Sequence, residues 1–253
     1  MRVDLNADLG ESPAGSAATP DPGLMPYITS ANVACGFHAG DPGRMRATVA
    51  LAQEHGVAVG AHPGFPDLEG FGRRELAVSP ADVEDFVVYQ VGALAAIAAA
   101  QGVRLQHVKP HGALFNMAVR DATLADAIAR ATAVIDRGMI LFGLPGSEIV
   151  AAGRRLGLRT ACEAFADRAY QPDGTLVPRG QPGAVLHDPA VVVSRALRMI
   201  REQAVEAIDG SRVPLAIDTM CLHSDTPGAG ELAARIREGL REAGVEVKAV
   251  GAG

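Results

Sequence analysis

The stretch LQHVKPHGALFN, residues 105–116, contains the arrangement that decides the fold. A short run typical of a strand ends at Lys109, Pro110 and His111, where polar side chains take over. Because its ring fixes φ, Pro110 is expected to direct both neighbouring side chains off the end of the strand, toward a ligand. A cation beside an acid–base group suits a developing oxyanion or a phosphate.

The same unit recurs along the chain. Short apolar, β-branched runs return roughly every 25 to 35 residues, and the stretches between them have helical periodicity, which predicts the βα alternation of a parallel sheet or barrel. We predict seven strands, at residues 3–6, 30–34, 57–61, 105–109, 140–143, 160–163 and 214–222. Residues 245–250 are a candidate eighth strand.

Capping signals mark the helices between these strands. Ser79 is followed by Pro80 and Asp82, which is the pattern of an N-cap, a first helical proline and an acid at the third position. Further helix starts are predicted at Asp41, Asp121 and Gly230. Segments 11–26 and 164–189 are predicted loops, and loops of this length in a compact domain are often functional.

Composition favours a parallel α/β fold and excludes several partners. Of the 253 residues, 48% are hydrophobic but only 4% aromatic, which is typical of helices packed on a buried parallel sheet. The net charge of -6 and the scattered basic residues argue against nucleic acid. With neither a membrane-length apolar run nor a signal-peptide pattern, we expect no membrane partner and a cytoplasmic protein. The cysteines Cys35, Cys162 and Cys221 lack metal or disulfide spacing and are expected to be reduced and partly buried.

Polar residues accumulate just after the predicted strands, at positions that meet at one face of any parallel sheet or barrel. These residues are Asp8, Glu11, Asn32, His38, Asp41, His62, Lys109, His111, Glu163, Asp167, Arg168, His223 and Asp225. Helix capping or loop anchoring explains any single member, but it does not call for several histidines and a lysine together. The set therefore predicts a functional cleft.

Three narrower sites have weaker signals. Scattered His and Asp at barrel strand ends build many hydrolase metal sites, but HxH and HExxH spacings are absent, so no metal is firmly indicated. Cys221 is interpreted as a core residue and not as a nucleophile. The segment GLPGSE, residues 143–148, is interpreted as a strand-to-helix turn in preference to a phosphate loop.

Seven segments together resemble the signature blocks of the LamB/YcsF family. They are DLNADLGES (4–12), SANVACGFHAGDP (30–42), GAHPGFPD (60–67), GFGRRELAVSP (70–80), KPHGALFN (109–116), EAFADRAYQPDGTLVPRGQPGAVLHDP (163–189) and CLHSDTP (221–227). The resemblance implies one domain over residues 1–253, an irregular TIM-like (β/α) barrel of about seven parallel strands related to glycoside hydrolase and deacetylase barrels. It also implies the A subunit of an ATP-hydrolysing 5-oxoprolinase, which acts with B and C subunits to convert 5-oxoproline to glutamate.

On that resemblance we assign provisional roles. Lys109 and Arg168 are expected to neutralise phosphate or the substrate carboxylate, and His111, or the pair His223 and Asp225, to transfer protons. Pocket-lining roles fall to Asp8, Asn32, His38, His62 and Glu163, with Asp8 or Glu163 holding the magnesium that accompanies ATP.

Two rival functions stay open: a stand-alone metal-dependent deacetylase-like hydrolase, and a non-catalytic binding subunit. Sequence also leaves open whether ATP binds on this chain or a partner, and whether identical copies associate.

Overall fold

The computed structural model describes residues 1–11, 23–223 and 228–252, with only the backbone of His223. Its strands in chain order are β1 (Arg2–Leu9), β2 (Ser30–Ala34), β3 (Ala58–His62), β4 (His107–Val108), β5 (Ile140–Gly143), β6 (Arg159–Phe165), β7 (Ala204–Glu206), β8 (Arg212–Pro214), β9 (Thr219–His223) and β10 (Glu246–Val247). The helices are α1 (Pro42–Glu54), α2 (Pro80–Ala99), α3 (Gly112–Ala118), α4 (Ala122–Ile135), α5 (Glu148–Arg155), α6 (Pro189–Glu202) and α7 (Ala229–Glu242), with a 3-10 turn at Met25–Tyr27.

Seven parallel strands close into a barrel in the order β1-β2-β3-β4-β5-β6-β9, because β9 pairs with both β6 and β1. The predicted fold class is therefore confirmed. In the register of β1, Asp8 lies beside Asn32 of β2 and the backbone of His223 of β9. The carboxyl ends of these strands thus meet at one edge, where polar residues follow the apolar ones.

The helices cover the outside of the barrel, and α1, α2 and α4 begin where the capping residues predict, whereas α7 begins at Ala229 after Gly228 and not at Gly230. Ser79 accepts a hydrogen bond from Asp82 N while Asp82 accepts from Ser79 N, which completes a capping box for α2. Asp41 caps α1 by accepting from Arg44 N, and Asp121 caps α4 by accepting from Thr123 N and Leu124 N. Ser147 caps α5, so the turn at residues 143–148 joins a strand to a helix as predicted.

The last predicted strand divides into two elements. Pro214 ends β8, which forms an antiparallel hairpin with β7, whereas the barrel strand begins only at Thr219. Proline lacks an amide hydrogen, so a position at the end of a two-stranded ribbon suits it better than a central barrel strand. The candidate eighth strand is reduced to β10, which pairs with Arg2 and Val3 outside the closed barrel. Among the described residues no helix is long and apolar enough to cross a membrane.

Candidate active site

A buried lysine lies at the centre of the barrel's carboxyl-end face. Lys109 follows β4, and its Nζ lies 2.7 Å from Asp8 Oδ1, 3.0 Å from Glu163 Oε1 and 2.9 Å from Cys221 Sγ. We call these four residues the lysine centre; its members come from β1, β6 and β9 and from the end of β4. Burial alone would lower the pKa of Lys109, but the charges of Asp8 and Glu163 outweigh it and raise that pKa well above its ordinary value. The lysine is therefore a fixed cation.

The other members of the lysine centre respond to burial. Desolvation raises the pKa of the Glu163 carboxyl, although Lys109 opposes the shift. It also raises the pKa of the Cys221 thiol well above its usual range. A neutral, fully buried thiol agrees with the interpretation of Cys221 as a core residue.

Beneath this centre lies a layer of buried polar side chains that holds Asp8 in place. Asn32 donates to Asn6 Oδ1 at 2.6 Å and to Asp8 Oδ1 at 2.8 Å, and its own carbonyl oxygen faces His107 Nε2 at 2.7 Å. Asn32, expected in the pocket, is thus placed behind it. A Cβ at position 60 would overlap the His107 ring, so only glycine fits there.

Beside the lysine centre, three imidazoles and one carboxylate converge. We call Glu11, His38, His62 and His111 the histidine cluster; one ligand atom from each lies within 4.8 Å of all the others. Glu11 Oε1 is 3.0 Å from His38 Nε2, 3.6 Å from His62 Nε2 and 3.2 Å from His111 Nδ1. The rings of His38 and His111 are stacked at 3.8 Å between centroids, with His62 edge-on to both. Four separate chain segments therefore supply one compact cluster.

Burial controls the protonation of this cluster. It lowers the pKa of His38 to about 3, helped by the nearby His111, and it also lowers the pKa of His111. Burial would raise the pKa of Glu11, but its close contacts with His111 and His38 reverse this and bring the pKa well below its usual range. Near pH 7 the cluster accordingly pairs neutral rings of His38 and His111 with an ionised Glu11.

A cavity of about 70 Å³ opens above both groups. Its floor includes Asp8, Glu11, His62, Lys109 and His111, and its walls include Phe115, Phe165 and Leu176. It adjoins an outer cavity of about 430 Å³ that shares several lining residues with it. The site is therefore a polar floor beside a few apolar side chains, reached through an outer cavity whose lining is mostly polar.

Three arginines, Arg73, Arg168 and Arg179, line both cavities; we call them the arginine rim. Arg168 is buried and donates to the carbonyl oxygens of Val177 at 2.6 Å and Ala184 at 3.3 Å. Burial, followed by the positive charge of Arg179, lowers the pKa of Arg168 to about 10. Guanidinium groups that repel one another at a cavity mouth favour an anionic ligand.

Most of the predicted site residues thus share one cleft. His38, His62, Lys109, His111, Asp8, Glu163 and Arg168 lie in or directly beneath it. Asp225 and the His223 side chain fall outside the described residues, although the His223 backbone lies at the same barrel edge. Arg73 and Arg179 were not predicted as site residues. The sequence marks them only by their position inside segments 70–80 and 163–189, which resemble family signature blocks.

A closed parallel barrel with charged and imidazole side chains clustered in a cleft at its carboxyl end belongs to the class of barrel enzymes. Within that class the chain belongs to the LamB/YcsF family, whose model matches residues 3–252. It is 54% identical over 250 residues to the A subunit of 5-oxoprolinase from Bacillus subtilis, covering 99% of this chain and 97% of the relative. It is 53% identical to the same subunit from Thermus thermophilus, covering 98% of this chain and 100% of the relative.

Solved structures agree with this placement. The Lactam Utilization Protein from Thermus thermophilus superposes with a TM-score of 0.92 at 53% identity, covering 98% of this chain and 100% of that one. A family 4 carbohydrate esterase from Streptomyces lividans matches with a TM-score of 0.51 at 14% identity, covering 99% and 93% of the two chains. The second likeness shows the shared barrel fold alone.

Proposed function

We propose that this chain is the A subunit of an ATP-dependent 5-oxoprolinase, which together with the B and C subunits opens 5-oxo-L-proline to L-glutamate and converts ATP to ADP and phosphate. The observation that carries the proposal is 54% identity along nearly the whole length of a relative with that name. The cleft agrees with it, because it combines a fixed cation, imidazoles and an arginine rim.

The chemistry explains the need for ATP. A lactam is stabilised by amide resonance, so its carbonyl resists water. In the proposed route the lactam oxygen attacks the γ-phosphorus and ADP leaves; one water then adds to the activated carbon and the C–N bond breaks. The resulting acyl phosphate reacts with a second water to give glutamate and phosphate. Such a route requires cations for the phosphoryl group and a base for water.

We propose roles for individual residues from the lining of the cleft and, for His223 and Asp225, from the sequence alone. Lys109 supplies fixed positive charge at the floor, and Arg168 with the rest of the arginine rim receives the substrate carboxylate or a phosphate. His111, or His223 with Asp225, transfers the proton, and the role falls to His223 with Asp225 when both ring nitrogens of His111 are engaged. His62 lines the floor with His38 buried beside it, and Asn32 and Glu163 hold Asp8 and Lys109 in place.

We assign the magnesium that accompanies ATP to Asp8 in preference to Glu163. Both carboxylates contact Lys109, but Asp8 also has Oδ2 on the side of His62, 3.4 Å from its Nε2, and Asp8 lines the inner cavity. Glu163 is fully buried, so hydrated magnesium reaches it less easily.

Reconstitution tests the proposal. The chain is combined with the B and C subunits, and glutamate formation from 5-oxoproline is followed with and without ATP. We expect glutamate only when ATP and all three subunits are present. An unchanged rate without this chain would overturn the proposal, and glutamate formed by this chain alone without ATP would favour a stand-alone hydrolase.

A further inference from the structure

We propose that Glu11, His38, His62 and His111 bind one divalent transition-metal ion. In a tetrahedral site with metal–ligand bonds of ~2.1 Å, neighbouring ligand atoms lie ~3.4 Å apart. The corresponding separations here are 3.0, 3.2 and 3.6 Å from Glu11 Oε1 to the three imidazoles and 2.9 Å between His62 Nε2 and His111 Nδ1. These four separations are thus close to the spacing that one shared ion requires, and the two from His38 to the other imidazoles lie within 4.8 Å. Because the rings of His38 and His111 are stacked nearly parallel, one of them must tilt for both lone pairs to point at the same ion.

The hydrogen bonds of two imidazoles carry the inference further. His62 Nδ1 lies 2.7 Å from the carbonyl oxygen of Lys109, and His111 Nε2 lies 2.8 Å from that of Phe71. A carbonyl oxygen only accepts, so each of these nitrogens is assigned the ring's hydrogen. The other nitrogens, His62 Nε2 and His111 Nδ1, then face each other at 2.9 Å with two lone pairs. A cation between or beside them relieves that repulsion.

The same carbonyl bonds are the outer contacts that metal-bound histidines usually make, since they fix the tautomer and the direction of the ring.

The backbone at residues 71–72 has an unusual conformation and packs tightly against the rings. Phe71, whose carbonyl binds His111, has a φ of 53°, which is rare for a bulky side chain and concentrates at functional sites. At the neighbouring Gly72 a Cβ would lie 2.7 Å from His38 Cβ and 2.9 Å from His111 Cδ2. Residues 71–72 therefore hold two of the rings in place.

The donor set selects the kind of ion. Three imidazole nitrogens and one carboxylate suit zinc and its first-row neighbours, whereas magnesium and calcium prefer oxygen ligands. The ion is thus distinct from the magnesium assigned to Asp8. Glu11, His62 and His111 line the inner cavity while His38 is fully buried, so one side of the ion faces the cleft. On that side a fifth ligand, the oxygen of a water or of a carbonyl group, would expand the four-coordinate site to five-coordinate.

Metal binding is measured on the full chain after treatment with a chelator, so the result does not depend on the proposed 5-oxoprolinase activity. Zinc titrated by calorimetry is expected to bind at one ion per chain, and an excess of magnesium should not displace it. Cobalt(II) added instead should give the visible absorption of a site with nitrogen ligands.

Single substitutions identify the ligands. His62→Ala and His111→Ala are expected to weaken zinc binding on the order of 100-fold or more, and Glu11→Gln by at least ~10-fold. His55→Ala and His187→Ala, at two exposed histidines outside the cluster, are the matched controls and should bind as the wild type does. Circular dichroism confirms that each variant is folded.

Wild-type protein that binds no zinc above the level of weak surface association would overturn the proposal. So would equal affinity in His62→Ala and His55→Ala. Glu11→Gln keeps the proposal testable if a histidine variant fails to fold, because Glu11 lies two residues beyond the end of β1 and is partly exposed. A failed reconstitution with the B and C subunits would leave this result untouched.

Discussion

The lysine centre and the histidine cluster lie side by side at the same end of the barrel, yet their charges are arranged in opposite ways. In the first, a cation is already present, and Lys109 compensates the buried carboxylates Asp8 and Glu163. In the second, His62 and His111 face each other through two nitrogens, and only a shared proton or an added cation between them would relieve their repulsion. The first group is complete by itself, and the second is arranged for an added ion.

The largest expected effect comes from removing the lysine. In Lys109→Met, Asp8 and Glu163 lose their cation while they stay buried, which typically costs about 3–5 kcal/mol of unfolding free energy. Urea denaturation measures the loss. The double variant Lys109→Met with Glu163→Gln should recover part of the lost unfolding free energy, because one uncompensated charge is removed. Equal urea midpoints for the wild type and Lys109→Met would contradict the description of this centre.

Zinc should stabilise the folded protein through the histidine cluster and not through the lysine centre. With free zinc at about 100 times its dissociation constant, the wild type is expected to gain about 2.7 kcal/mol of unfolding free energy. His62→Ala should gain almost none, whereas Glu163→Gln should gain as much as the wild type because Glu163 belongs to the lysine centre. Thermal or urea unfolding with and without zinc provides the measurement, and a full gain in His62→Ala would remove the distinction between the two groups.

Acid should destabilise the layer of buried polar side chains that holds Asp8 in place. Burial lowers the pKa of His107 to about 3, below its unfolded value. The unfolded chain therefore binds a proton at this site between about pH 6.5 and pH 3 while the folded chain does not, and stability falls by about 1.4 kcal/mol per pH unit as the pH decreases through that window.

His107→Gln should reduce the slope of unfolding free energy against pH by about 1.4 kcal/mol per pH unit, which corresponds to the loss of one titrating proton. Urea midpoints at several pH values give the slope, and His187→Gln, at an exposed histidine, is the control. An identical slope in His107→Gln and the wild type would show that His107 does not resist protonation.

The arginine rim should give the smallest change in stability and a selective change in binding. Arg179→Gln is expected to shift unfolding free energy by less than about 0.5 kcal/mol because the residue is exposed. In the reconstituted reaction it should raise the KM for the anionic substrate on the order of 10-fold with little change in kcat. Arg46→Gln, at an exposed position of α1, is the control, and a pure kcat effect of Arg179→Gln would remove the rim from substrate binding.

Much of this molecule could be predicted from local patterns. The strand at 30–34 and that at 140–143 were predicted with the bounds they have, and Ser79 begins α2 as its sequence indicates. The hairpin of β7 and β8 was missed, because each strand has only three residues and is stabilised by its partner more than by its own sequence.

The candidate site was predicted as a collection of residues but not as two groups. His62 and Lys109 were both expected in one cleft, yet no spacing indicated that His62 would join Glu11 and His38 while Lys109 would bind Glu163. Asn32 was predicted in the cleft together with the other polar residues near strand ends. It lies behind the pocket instead, hydrogen-bonded to Asn6 and His107.

The sequence alone determined that strands alternate with capped helices and that polar side chains follow the strands, because both depend on residues close together in the chain. Only the tertiary structure decided which side chains meet. Barrel closure brings β9 against β1, and the distances between side chains on different strands depend on that register. Metal-ligand spacing across four distant segments is a property of the closed barrel, so local sequence patterns could not reveal it.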